Sequence, residues 1–244
     1  MSSTFSSTSF TSNPIISRPP PSAVIYDLSS PTHTTITLPV GSLWSSELHW
    51  HERHTEFLRV IKGSVRVRLD NRSFVVKAPK ESNEEAIVRV DIGVRHEWKR
   101  ADADEAAGEK DEEEVIVIES TEPADTEKRL FFWNLNGVIL EAQQGSTREQ
   151  PKFLAALMME WRIMLHLFVI FKGLDNFPVF WDLSTKLSGV GSGLRSAKRA
   201  EGLITHGIFW LVRIAGAALG MRAVEERFTP KELYLEWKSS KKDL

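Results

Sequence analysis

The chain contains no cysteine. That excludes disulfide scaffolds, thiolate zinc sites, iron–sulfur clusters and cysteine nucleophiles together, and leaves the redox compartment undecided. It has little charge surplus: 31 Lys and Arg against 33 Asp and Glu give −2 at pH 7 and a pI near 6.4. Without a basic footprint, no nucleic-acid partner is expected. The opening MSSTFSSTSFTSNP has neither a basic start nor an apolar core, so no cleaved secretory signal is expected and the protein reads as not secreted. What is present is ordinary globular usage, 41% hydrophobic and 26% charged over 244 residues. This excludes global disorder and fibrous repeats, and leaves room for one large domain or a small one with an appendage.

Composition divides the chain into stretches. Residues 1–34 are rich in Ser, Thr and Pro, including Pro19-Pro20-Pro21, and read as a disordered or loosely docked arm. From 35 to 134 the texture is short β-rich runs: TITLPV, SELHWH, TEFLRVIK, SVRVRL, SFVVK, AIVRV and EVIVIE. SVRVRL alternates strictly, as a strand with one wet face does, and Asp70-Asn71 after it suits a tight hairpin. Many short strands at this spacing predict a small all-β barrel or sandwich. Residues 101–114, ADADEAAGEKDEEE, hold eight carboxylates against one lysine and read as a solvated surface loop. From about 150 to 244 the pattern is helical and hydrophobic.

The chemistry concentrates in one segment, running from Gly41 through His49-Trp50-His51 and Glu56 to Gly63. Residues two apart on a strand point to one face, so His49 and His51 can converge on one ion. Glu56 can add a hard oxygen from the next strand, and Gly63 permits a tight reversal into SVRVRL. His96, in DIGVRHEW, supplies a third imidazole. Three imidazoles and a carboxylate suit Fe(II), Mn, Ni, Cu or Zn better than Ca or Mg. His54 does not fit this face and reads as a surface residue or one that backs the ligands. Trp44, Trp50 and Trp98 read as core or pocket lining, and His33, His166 and His206 carry no assigned role.

His-x-His-x4-Glu-x6-Gly followed by Gly-x-x-His resembles the two sequence motifs of the cupin superfamily. The resemblance implies a mainly β protein whose small antiparallel barrel, or jelly roll, holds one metal through His49, His51, Glu56 and His96, with an α-helical C-terminal extension. Gly41 stands eight residues before His49 rather than six, Asp91 replaces the second motif's proline and Arg100 its asparagine. The four ligand positions are untouched. The Ser/Thr-rich arm, single barrel and hydrophobic C-terminal half resemble, in layout, cupin-domain oxidoreductases of fungal polyketide pathways.

In the C-terminal half, 153–171 and 203–221 are 19-residue apolar stretches that carry Glu160, Arg162, His166 and Arg213. For 203–221, eight Leu, Ile, Val and Phe contribute about −3.5 kcal/mol to insertion and Arg213 costs about 3 kcal/mol, so spanning roughly breaks even. Gly216 and Gly220 offer a small-residue contact face. Three roles are open for this half: a soluble helical subdomain packed on the barrel, a monotopic or hairpin attachment to a membrane, or a homodimer interface. The ending Lys241-Lys242-Asp243-Leu244 resembles the dilysine signal of endoplasmic-reticulum membrane proteins, so a cytoplasmic or reticulum-associated location is expected.

The functional expectation is a metal-dependent cupin oxidoreductase acting on a small apolar or aromatic, polyketide-like molecule in secondary metabolism. Fe(II) comes first among its metals, and the catalytic residues beyond the ligands stay unassigned. A non-redox isomerase, cyclase or decarboxylase using the metal as Lewis acid is the alternative, with a non-catalytic small-molecule-binding cupin beside it.

Overall fold

The structure, a computed structural model, describes residues 7–81, 84–102, 112–145, 153–183 and 193–240. Its strands form two antiparallel sheets. Ile15–Arg18 (β1), Val24–Asp27 (β2), His33–Leu38 (β3), Val115–Glu122 (β10), Thr55–Lys62 (β5) and Ala86–Val90 (β8) lie side by side in that order. The second sheet runs Phe177–Pro178 (β11), His49–Trp50 (β4), His96–Arg100 (β9), Ser64–Leu69 (β6) and Arg72–Lys77 (β7). Alternation explains the inner faces. In β3 and β10 every second residue is buried, placing Thr34, Ile36 and Leu38 beside Val115, Val117 and Glu119.

Contacts between the sheets make them a jelly-roll-type sandwich. Trp98 on β9 donates its Nε1–H to Glu119 Oε1 on β10 at 2.7 Å, and the Trp44 ring packs against Trp98 at a tilt of 58°, with centroids 4.8 Å apart. The fold is therefore mainly β with helices toward the C-terminus, as the motifs imply. Among the described residues, no hydrogen-bonded ladder closes the two sheets into one barrel. The β6–β7 turn is the two-residue Asp70-Asn71 reversal, with Asp70 at φ 54°.

Two boundaries need correction. The reading of residues 1–34 as a loose arm fails from residue 15 onward, because β1 and β2 are two of the six strands of the first sheet. Val24, Tyr26 and Leu28 alternate inward and are at most 1% exposed, a short pattern masked by the prolines before it. The strand region also stops short of 134, since Glu127–Gly145 (α2) is already helix and buries Leu130, Trp133 and Val138. The acidic run 101–114 lies mostly outside the described residues. At its near end Arg100, fully buried, donates to the carbonyls of Leu38 and Glu113 and to the Asp102 carboxylate. This arginine thus binds the loop ends in place of the motif's asparagine.

Gly63 is needed for its backbone and for its missing side chain. Its φ is +71°, and a Cβ there would lie 2.8 Å from Val115 Cγ2 and 2.9 Å from the Glu114 carbonyl oxygen. Left-handed strain and overpacking together predict that Gly63→Ala destabilises by about 2–4 kcal/mol. Chemical denaturation checks this; an unchanged midpoint would refute it.

The chain divides into two units. A β unit comprises 15–125 and 175–207, and a helical unit comprises 1–14, 126–174 and 208–244. The helix Gly193–Ala218 (α4) contributes its first part to the β unit. There Glu201 pairs with Arg95 at 3.3 Å and Lys198 pairs with Asp70 at 2.6 Å. Arg95 also lies over the Trp50 ring, 4.5 Å from its centroid.

The helical unit holds Ser7–Ser12 (α1), α2, Phe153–Gly173 (α3), the rest of α4 and Lys231–Ser240 (α5). The two apolar stretches pair as expected: Phe168 meets Phe209, and a Cβ on Gly216 would fall 2.6 Å from Val169 Cγ2. Gly220 does not share that contact. It ends α4 at φ 69°, and the Met221 N–H reaches back to the Gly216 carbonyl at 2.9 Å. Among the described residues no helix is long and apolar enough to cross a membrane, so a spanning hairpin is not supported. The terminal Lys241-Lys242 lies outside the described residues.

Candidate metal centre

Four side chains from both sheets converge. His49 ends up opposite His96 because β4 and β9 pair at that register. His51 follows β4 by one residue, and the Gly93 N–H fixes its carbonyl at 2.8 Å. Glu56 sits on β5, on the inward face it shares with Leu58 and Val60, so strand alternation carries a carboxylate into the core. All four are buried, Glu56 at 1% exposure and His96 at 0%. One ligand atom from each lies within 4.8 Å of the others. The structure thus brings together His49, His51, Glu56 and His96, the four residues named from the motifs.

The hydrogen bonds of the imidazoles are alike. His49 Nδ1 lies 2.7 Å from the Glu47 carbonyl, His51 Nδ1 2.5 Å from that of Asp175, and His96 Nδ1 3.1 Å from that of Val94. A carbonyl can only accept, so each Nδ1 carries a proton and each ring turns its Nε2 inward. There His51 Nε2 lies 3.2 Å from Glu56 Oε2 and His96 Nε2 3.4 Å from Glu56 Oε1. His96 Nε2 is buried without a hydrogen-bond partner among the described residues. Burial first, and then the neighbouring His96 and His51, hold the His49 imidazole well below its ordinary 6.5. Three inward lone pairs and a carboxylate make a cluster of acceptors. A shared proton satisfies one contact within it; a divalent cation satisfies all four. On this ground the residues present fit the metal that the motifs imply.

A second layer holds the His51 loop. Asp175, buried at 2% and at φ 55°, gives its carbonyl to His51 and its carboxylate to three donors. These are the N–H groups of Glu52 and Arg53, at 3.0 and 2.9 Å, and His54 Nδ1 at 2.6 Å. His54 Nε2 reaches Asp125 at 3.0 Å. His54 is thus a buried support of the ligand loop, the second of the two roles open to it. No motif or spacing points to Asp175 or Asp125: Asp175 lies 119 residues after Glu56, in a stretch without periodicity. Of the histidines without a role, His206 pairs with Glu52 at 2.9 Å and His166 with Glu225 at 3.1 Å.

Burial alone would lower His54, but the hydrogen bonds it donates to Asp125 and Asp175 outweigh it and push the imidazole up to about 9. Burial alone would raise Asp175, but the His54 bond and the two backbone amides hold it below its ordinary 3.8. The raised His54 contributes stability that is full below 6.5 and is lost as pH rises through about 9. The depressed His49 contributes stability present above 6.5 and lost as pH falls below it. The melting temperature should therefore peak near pH 6.5, falling below it through His49 and between 6.5 and about 9 through His54. A His54→Gln variant that kept the alkaline fall would show that another group causes it.

No family model matches the chain, and no curated protein matches it. Among solved structures, it is similar to the capsular polysaccharide assembling protein CapF of Staphylococcus aureus, at 12% identity and TM-score 0.32, over 46% of this chain and 31% of that one. It is similar to the Cnp3 cupin domain of Schizosaccharomyces pombe, at 14% identity and TM-score 0.29, over 44% and 58%. A predicted oxalate decarboxylase of Thermotoga maritima aligns at 19% identity and TM-score 0.27, over 36% and 63%. The aligned part spans less than two thirds of each of these three chains. Likenesses at this level carry no argument about fold or chemistry, which rest on the sheets and the imidazole cluster themselves.

Proposed function

We propose that this protein is a metal-dependent oxidoreductase of cupin type, acting on a small apolar or aromatic, polyketide-like molecule of secondary metabolism. The observation that carries the metal is the acceptor cluster: three Nε2 lone pairs and the Glu56 carboxylate, buried together with every Nδ1 proton already committed to a carbonyl. His49, His51, Glu56 and His96 would hold the ion. A mixed nitrogen and oxygen donor set suits Fe(II) first, and Mn, Ni, Cu or Zn after it. When bound, such an ion supplies a Lewis acid and, if redox-active, an electron source beside the substrate.

The protein's own part is positional. The carbonyls of Glu47, Val94 and Asp175 orient the rings before any ion arrives, and the sandwich excludes water from them. The motif layout and the tryptophan-rich core support the substrate class. Non-redox isomerisation, cyclisation or decarboxylation would use the same four ligands.

Metal analysis of untagged protein, followed by anaerobic Fe(II) loading and measurement of dioxygen uptake with aromatic polyketides, tests the reading. Near-stoichiometric metal and substrate-dependent uptake are expected, and both should vanish in His51→Ala and His96→Ala. Turnover without dioxygen uptake would favour the non-redox alternative. Stoichiometric metal retained by the double variant would refute the site.

A further inference from the structure

Within the helical unit, α3 and the second part of α4 leave an open groove of about 820 Å³. Met158, Trp161, Leu165, Leu211 and Leu219 line it, with Arg162 among them. Several of these side chains are turned to water: Met158 is 64% exposed, Trp161 59% and Leu211 60%. Beside them on α4, Trp210 and Ile214 are also exposed, while the residues α4 buries in this unit are Phe209, Val212 and Gly216. The outer side of this helix is thus about as apolar as its inner side, which a helix facing only water does not need.

Charge indicates what covers this face. The helical unit carries thirteen Lys and Arg against nine Asp and Glu, a net of +4 in a chain whose total is −2. Arg162 and Arg213 are exposed, and neither has an ion-pair partner among the described residues. Arg213 therefore lies outside the hairpin seam rather than within it. A second copy of the chain is a poor match, because the groove lining holds, among the described residues, no carboxylate to meet these arginines. A bilayer with anionic headgroups meets all three features. It takes up the leucine, isoleucine and methionine side chains, seats tryptophan rings at the headgroup level, and pairs with arginines whose stems lie along the apolar surface.

We propose that this face is a monotopic attachment site for an anionic lipid surface, with α3 and α4 lying in the plane of the interface. This agrees with the absence, among the described residues, of any helix able to cross a bilayer. It is independent of the metal reading, since none of its residues belongs to the acceptor cluster.

Co-sedimentation of the full chain with phosphatidylcholine vesicles, with or without about 30% phosphatidylserine, tests the proposal. Binding to the anionic vesicles is expected, at least tenfold weaker to neutral ones and weakened by salt as screening requires. Trp161→Ser/Trp210→Ser should reduce it at least tenfold. Arg162→Glu/Arg213→Glu, which alters only exposed side chains, should do the same while leaving the circular dichroism melt and metal content unchanged. Failure to bind either vesicle, equal binding to both, or unchanged binding by the arginine variant would overturn the proposal. A stable dimer by light scattering that the tryptophan substitutions dissociate would overturn it in favour of a second copy.

Discussion

Replacing Glu56 with Gln should abolish metal binding while leaving the metal-free protein at least as stable as the parent. In the parent, a carboxylate lies 3.2–3.4 Å from two imidazole nitrogens whose lone pairs face it, in a site closed to water. A buried acceptor without a donor costs about 1–3 kcal/mol. The glutamine amide offers an N–H to one of these nitrogens and removes the negative charge, so the metal-free variant gains up to about that amount. Addition of metal should reverse the ranking. At a hundredfold excess over Kd the parent gains about 2.7 kcal/mol, and the variant gains nothing. Paired thermal melts with chelator and with Zn or Fe(II) read both effects. A variant less stable than the parent under chelator, or one that melts higher on addition of metal, would contradict the acceptor account.

Asp175→Asn is expected to weaken metal affinity by about 10–100-fold without altering any ligand, the usual effect of losing a group that orients a metal-binding imidazole. Asparagine tolerates the left-handed backbone at φ 55° and keeps the carbonyl that His51 uses. What it lacks is the charge that His54 and the Glu52 and Arg53 amides require. Its amide nitrogen is a donor set against donors. Breaking this buried network should destabilise the fold by about 3 kcal/mol, and the alkaline fall in stability should shrink, because Asp175 supplies part of what holds the proton on His54 and Asp125 alone remains. Chelator competition measures the affinity, and the spectrum of the Co(II)-substituted protein reports whether His51 has turned. An unchanged affinity and spectrum would reduce Asp175 to a purely structural residue.

These two residues show what a sequence discloses and what it withholds. Glu56 was legible because its spacing from His49 and His51 is short and its strand alternates, so local geometry determines where it points. His96 was legible through a motif, although its strand, HEWKR, was not among the predicted ones. Asp175 was not legible. It reaches the site through a backbone carbonyl, which every residue possesses, and through a conformation that no period encodes. The strands at 15–18 and 24–27 were hidden for a different reason. Each is four residues long, too short for a pattern to outweigh the proline-rich text around it. In the helical half, the two apolar stretches were legible as paired helices, but the second helix begins at Gly193, ten residues before its apolar run, and its first part belongs to the β unit. Which side of each helix faces water depends on packing partners elsewhere in the chain.

The Asp175 carbonyl also bears on how the protein is made. A ribosome releases the chain from its N-terminus, so the six-stranded sheet and all four candidate ligands emerge well before residue 175 does. Until then His51 lacks the acceptor that fixes its ring, and β4 lacks β11, its partner at Trp50 and Phe177. The binding pocket is thus the last part of the sandwich to be finished, closed by a contact that spans 124 residues. A nascent chain halted near residue 140 would hold His49 and His96 by the Glu47 and Val94 carbonyls but would leave His51 without the acceptor that fixes its ring.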